Sequence, residues 1–218
     1  MTDLYEGILT TRAIRRFTAE PIGKEAIKAC LRAAMQAPSG GNAQPWQFVV
    51  VTDPELKQAV AAVYLAAYER WEAAQQTSLP PFRSKGDEAE FLRSLRASRY
   101  LAEHLTEAAA LVLFLLPQID LAVSDQRGRI EIGPLYASVY PAVQNFMLAA
   151  RSMGIGTALT TVYWSRQDDL RTLCQIPDRF EVVALVPMGH PRGKFGIARR
   201  RPPEAVTHWD RYGNRDLL

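Results

Sequence analysis

The stretch Ala37-Pro-Ser-Gly-Gly-Asn-Ala-Gln-Pro-Trp46 constrains this chain more than any other. It joins an amphipathic pattern, Lys24 to Gln36, to a β-branched run, Val49-Val50-Val51. A connection between a helix and a strand ordinarily needs only a few residues. Here Pro38 and Pro45 fix φ and remove donors at both ends. Gly40 and Gly41 let the backbone approach something flat or bulky. Between them lie one hydroxyl (Ser39), two amides (Asn42 and Gln44) and free backbone N–H groups. Such a segment reads as a stiff polar shelf for a planar heteroaromatic ligand. It reads equally as a tight loop with no ligand, and composition leaves both open.

The rest of the chain alternates helix and strand patterns, which means α/β or α+β. Leu4 to Thr11 suits a short helix, and Thr11 to Phe17 an extended or looped segment. In Lys24 to Gln36, Ile27, Cys30, Leu31, Ala34 and Met35 share one helical face, and Pro38 stops the helix. Gln47 to Thr52 is a strand. Asp53-Pro54 opens a long alanine-rich helix to about Gln76. Thr77 to Asp87, with Pro80-Pro81 and Gly86, is a loop, and Glu88 to Leu105 a charged helix. Ala108 to Leu116 is a continuous apolar run of strand length. Residues 117–132 look irregular. Pro134 opens a helix to about Met153 that contains Pro141 and ends at Gly154-Ile-Gly156. Thr157 to Thr161 is a short strand. Ser165 and Asp168 have capping-box spacing for a helix to Cys174. Phe180 to Met188 is the last strong strand, and Gly189 to Leu218 a basic, proline-punctuated tail. The helix pair across 55–105 is an excursion that either covers a site or adds a packing layer.

Several chemistries are disfavoured. His104, His190 and His208 stand apart from any cysteine or carboxylate at zinc spacing, so no metal site is expected. There is no Gly-x-Ser-x-Gly elbow and no phosphate loop. Gly154-Ile-Gly156 fails as a dinucleotide fingerprint: Leu159 replaces the third glycine, and the order is helix, glycines, strand. Cys30 and Cys174 make no disulfide framework. A net charge of +3 does not by itself imply nucleic acid. No apolar run reaches membrane-spanning length, so no membrane is expected. The N-terminus lacks a basic-then-apolar leader, so a cytoplasmic location is expected. A ligand shelf without an acid–base set suggests that a cofactor carries the chemistry.

Four separated segments then line up: Thr11-Arg-Ala-Ile-Arg-Arg-Phe17, Ala37 to Trp46, Gly154-Ile-Gly-Thr-Ala-Leu-Thr-Thr161, and Pro187-Met-Gly-His-Pro191 followed by Ala198-Arg-Arg-Arg-Pro202. Together they resemble the nitroreductase family of FMN-dependent oxidoreductases, over roughly residues 5 to 205. The resemblance implies an α+β, three-layer fold with a central, mostly antiparallel sheet flanked by helices and a helical lid excursion. It implies one FMN-binding domain over residues 1–218, with the lid at 55–105 and a C-terminal arm at 189–218. It also implies a homodimer with FMN at the interface.

By the same resemblance, Arg12 and Arg15 match positions on the ribityl phosphate and the flavin pyrimidine edge. Arg200 matches the C-terminal phosphate arginine, with Arg199 or Arg201 one register away. Guanidinium forks suit a dianionic phosphate. Pro38, Ser39, Gly40 and Asn42 belong to the loop that packs on the flavin of the other subunit, and Gly41 becomes an edge of the substrate slot. Leu159, Thr160 and Thr161 match the segment beside the isoalloxazine, where Thr161 would tune N5. Thr11 and Ala13 occupy the places of the family's first arginine and serine, and each removes a side-chain contact.

The nearest likeness is to the iodotyrosine deiodinase-like branch, whose lid clamp falls on Tyr68, Glu72 and Arg93. Tyr68 and Glu72 lie one helical turn apart and face the same way; the alternative makes them surface residues of an amphipathic helix. The implied activity takes hydride from NAD(P)H to flavin N5 and reduces a nitroaromatic, quinone or enone in a ping-pong cycle. A second implication is reductive dehalogenation of halophenols or halotyrosine. A third reading, without catalysis, is that Arg199 to Arg201 bind an acidic partner.

Overall fold

Strand β2 (Ala110–Pro117) is apolar throughout because it is covered on both faces. Ala110, Val112, Phe114 and Leu116 point into one cluster, and Leu111, Leu113 and Leu115 into another. A period-2 backbone turns one continuous apolar run into two buried faces. The computed structural model describes residues 3–78, 82, 84–119, 122–130 and 133–215, without the side chains of 76–78.

Around β2 stand β1 (Gln47–Val51), β6 (Phe180–Gly189) and the two-residue β5 (Gly156–Thr157). The order is β1-β2-β6-β5, and every neighbouring pair is antiparallel. One face is covered by α2 (Lys24–Ala34) and α5 (Tyr136–Ser152). On that side Phe114 is fully buried between Phe48 and Phe146, its ring nearly perpendicular to both, with centroids 5.2 and 5.5 Å away. Edge-to-face pairs of this kind add to the burial energy. The other face is covered by α3 (Pro54–Ser78), by α6 (Gln167–Leu173) and by the end of α4 (Lys85–Glu103). The fold is therefore α+β, with an antiparallel sheet between two helical layers. α1 (Leu4–Thr10) lies against α5.

The β2–β6 register shifts at Phe114/Leu115, which leaves Val183 as an extra residue on β6. Tyr163 donates its hydroxyl to the Val182 carbonyl at 2.8 Å, and Tyr140 to that of Val183 at 3.2 Å. Carbonyls at a disrupted ladder need such partners.

Four expectations change. Gly86 and Asp87 lie inside α4, where Ser84 accepts from the Asp87 N–H and starts the helix ahead of Glu88; Pro80-Pro81 lie outside the described residues. Residues 117–132 contain a hairpin, β3 (Val123–Asp125) and β4 (Gly128–Ile130), with Gly128 at φ 126°. The strand expected from Thr157 to Thr161 breaks after Thr157 and returns only as a bridge between Thr160 and Leu185. Ser165 caps nothing: it sits in a 3-10 turn, Val162–Arg166, and Asp168 pairs with Arg171 at 2.7 Å. Within 55–105, α3 is a packing layer, since Val60, Ala61, Tyr64 and Tyr68 are buried in the cluster on this face of the sheet.

Candidate functional site

The Thr11–Phe17 segment is stitched along the β5 end of the sheet. Ile14 N–H donates to Thr157 O at 2.8 Å, and Thr18 N–H to His190 O at 2.8 Å. Ile14 and Phe17 anchor it from below, both buried. Two glycines make the approach possible. A Cβ at Gly156 would stand 2.7 Å from the Ile14 side chain, and one at Gly189 would stand 2.8 Å from the Phe17 ring. Real carbon atoms do not come so close, so these positions admit no side chain unless the segment moves.

Three adjoining hollows form a groove beside this segment. The first, about 250 Å³, is basic, with Arg12, Arg16, Arg192 and Lys194 at its walls. The second, about 240 Å³, shares Arg15 with it and continues to Tyr64, Leu159, Thr160 and Thr161. The third, about 430 Å³, shares Trp71, Thr161 and Val162 with the second and ends at Arg70, Trp164 and Ser165. Arg15 stands at the junction. Its guanidinium is half-buried and makes no hydrogen bond or ion pair among the described residues. Burial lowers its pKa from the ordinary value, while the Tyr64 and Tyr68 hydroxyls oppose that shift. It stays protonated, so the groove holds a fixed positive charge with no counter-ion among the described residues.

The groove's middle is rigid. Tyr64 and Thr160 share a buried hydroxyl–hydroxyl hydrogen bond of 2.9 Å. Thr160 also exchanges backbone hydrogen bonds of 3.0 and 3.1 Å with Leu185. Burial pushes the Tyr64 hydroxyl above its usual pKa, so it remains a neutral donor or acceptor. Thr161, next in the chain, is exposed to the groove. Leu159 is also at the surface.

The Ala37–Trp46 loop lies elsewhere. Pro38, Ser39, Gly40 and Gly41 border a separate hollow of about 600 Å³, closed on its other side by Leu135 and Ser138 of the α5 start and by Ile119. Gly41, Asn42 and Gln44 all have positive φ, at 58°, 55° and 46°. This curl uses up most of its donors. Gly40 N–H donates to Ser138 Oγ at 3.3 Å and Gln44 N–H to Ser39 Oγ at 3.0 Å, while Asn42 and Ala43 N–H bond to Ser39 and Gly40 carbonyls at 3.0 Å. The loop is therefore stiff, but the free N–H groups expected of it are largely satisfied internally. Trp46 packs beneath it in the α2–α5 cluster.

The nitroreductase family model matches residues 8–190. The chain belongs to the nitroreductase family. Rat iodotyrosine deiodinase 1 (Rattus norvegicus) is 28% identical over 189 residues, 87% of this chain; the chain spans only 62% of that protein's length. An FMN reductase (NADPH) of Bacillus subtilis is 26% identical, with 97% of this chain and 75% of the relative covered. Among solved structures, an oxidised iodotyrosine deiodinase bound to FMN and 3-iodo-L-tyrosine superposes with a TM-score of 0.72 at 23% identity, covering 96% of this chain and all of that one. At that identity the superposition speaks for the nitroreductase fold alone.

Within this nitroreductase-family chain the expected site residues fall into separate groups. Arg12, Ala13, Arg15, Leu159, Thr160 and Thr161 line the groove. Thr11 sits just before it and turns its hydroxyl back to the Gly7 carbonyl at 2.7 Å. Pro38, Ser39, Gly40 and Gly41 border the second hollow, and Asn42 is exposed beside them, accepting from Gln44 Nε2 at 3.2 Å. Arg199 and Arg200 are exposed on the C-terminal arm and line neither hollow.

Tyr68 and Glu72 do meet, with Tyr68 Oη 3.2 Å from both Glu72 Oε1 and the Leu95 carbonyl. Both are buried, which overturns the alternative that they are surface residues. The Glu72 carboxylate is held by the guanidinium of Arg99 on α4. Arg93 is exposed on α4 and joins neither. Arg192, Lys194, Tyr64 and Arg70 are groove residues that sequence reasoning missed. The signal for the first two was there: Pro191-Arg-Gly-Lys194 puts two cations just past the last strand.

Proposed function

We propose that this chain binds FMN along the groove and acts as an NAD(P)H-dependent oxidoreductase on small aromatic or activated acceptors. The observation that carries this reading is Arg15, a half-buried cation without a partner among the described residues, in a groove with one basic end and a hydroxyl-lined middle. The fit is chemical. A flavin mononucleotide has a dianionic phosphate, a polar pyrimidine edge and a flat ring, and the groove offers a cluster of cations, a guanidinium fork and two threonines in that order. When bound, FMN supplies the N5 centre that accepts and returns hydride.

This chain's own residues would bind and orient. Arg12 and Lys194 hold the phosphate as charge-assisted donors. Arg15 donates to the pyrimidine edge. Thr160, pinned by Tyr64, fixes the backbone from which Thr161 offers a hydroxyl towards N5. Pro38, Ser39, Gly40 and Gly41 lie in a separate hollow, which fits a homodimer in which each loop completes the partner's groove. The Arg199 and Arg200 arm would then reach the phosphate only in that assembly. The FMN-bound deiodinase and the Bacillus subtilis FMN reductase are the relatives that support the cofactor.

The test is the purified protein's absorption spectrum. Flavin bands, or tight uptake of added FMN, are expected, and Arg15→Ala should weaken FMN binding by roughly tenfold or more, as loss of a charged hydrogen bond implies. A protein that takes up no FMN would end this reading. Dehalogenation of a halotyrosine is the second reading, supported by the likeness to deiodinases. It requires Glu72 to exchange Arg99 for a ligand. Quenching of bound-flavin fluorescence by 3-iodotyrosine, lost in Glu72→Gln, is its signature.

A further inference from the structure

The far end of the groove has a chemistry of its own. Trp71 and Trp164 wall it, Thr161 and Ser165 add hydroxyls, and Arg70 stands at its rim. None of the residues that line it is acidic. Arg70 makes no hydrogen bond or ion pair among the described residues. Its sequence neighbour Glu69 lies on a different part of the helix surface, since adjacent helical residues do not face each other. Glu72, two residues on and therefore also off the face that carries Arg70, is buried and held by Arg99 and Tyr68. Trp164 keeps 41% of its surface exposed, a large apolar area for a residue that lines a hollow of about 430 Å³.

We infer that this hollow is the substrate pocket and that it takes a planar aromatic ring carrying an anionic group. Its role as the acceptor's seat rests on the FMN reading, through Thr161, which both hollows share. The indole rings receive the flat ring, and their N–H groups and the two hydroxyls offer donors. Arg70 supplies the charge. An ammonium group finds no carboxylate there, because Glu72 is already neutralised, so an acid is preferred over a zwitterion or a cation. The same chemistry has two sources: a small aromatic acid, or a nicotinamide dinucleotide with its phosphates on Arg70.

Calorimetric titration of the full-length protein tests this with 4-nitrobenzoate, neutral 4-nitrobenzyl alcohol and NAD⁺. The acid should bind about fivefold tighter than the alcohol at low salt, a preference of the size an accessible ion pair supplies and one that shrinks as salt rises. Arg70→Ala should abolish that preference and leave the alcohol unchanged; Arg70→Lys should keep part of it, and Trp164→Ala should weaken both ligands alike. If Arg70→Ala weakens only NAD⁺, the anionic pocket stands and belongs to the dinucleotide. If it weakens acid and alcohol equally, or weakens no ligand, the inference is overturned. Flavin content is read separately by absorbance. A flavin-loaded protein without Arg70 dependence sinks the pocket and keeps the FMN reading, and a flavin-free protein with Arg70-dependent binding does the reverse.

Discussion

Gly156 and Gly189 set where the arginines of the first motif go. Each leaves room for a core side chain of the Thr11–Phe17 segment, Ile14 over one and Phe17 over the other. Only because that segment lies so close can Arg15 reach the junction of the groove. A single methyl group should disturb both packing and site. Gly156→Ala puts a carbon 2.7 Å from Ile14 Cγ2. Overpacking of this kind costs about 1–3 kcal/mol, read as a lower midpoint in urea unfolding. FMN uptake should weaken with it, because Ile14 is next to Arg15. A Gly156→Ala protein as stable as the parent would contradict this account. Gly154, two residues earlier, has a different reason to be glycine: its φ is 75°, in the left-handed region that ends a helix.

α3 and α4 are adjacent helices with unequal attachment. α3 buries Val60, Ala61, Tyr64 and Tyr68 in the cluster on the sheet. α4 is anchored near its C-terminal end by Leu101 and Ala102, and further back by the ion pair from Arg99 to Glu72 on α3. Arg99 is 44% exposed, so water can take over when the pair is lost. Glu72→Gln should therefore cost only about 1 kcal/mol of global stability. Its larger effect is local. Amide exchange should quicken in α4 while β2 and β6 keep their protection, since elements with few buried contacts open independently. A uniform rise across the chain, or none at all, would argue against α4 as the loosely held helix. This matters for function, because α4 contributes Ser98 and Leu101 to the groove wall.

At the scale of the whole molecule, the surface is unfinished. Leu4 and Tyr5 of α1 are each 71% exposed and Ile197 of the arm 72%. The arm meets α1 where Ala198 N–H donates to the Leu9 carbonyl at 3.3 Å, and under the proposed dimer these exposed side chains and the Ser39–Gly41 hollow would be covered by the partner. Light scattering should give twice the chain mass of 24.4 kDa; a monomer at micromolar concentration would refute the shared site. Much of this molecule was legible in its residues. The continuous apolar run from Ala108 to Leu116 read as a buried strand from its length, and the structure adds that both its faces are covered. Four ordered motifs pointed to the family. Hidden from the sequence were the 123–130 hairpin, whose strands are short and exposed on both faces, the fate of Ser165, and the partners of Glu72. By itself the sequence determined which residues could be core, turn or cation, since hydrophobic period and glycine or proline geometry are local properties. Only the tertiary structure decided which cations find a partner among the described residues. Arg99 finds a buried carboxylate on the neighbouring helix while Arg15 and Arg70 face open groove, and that pairing depends on distances between residues far apart in the chain.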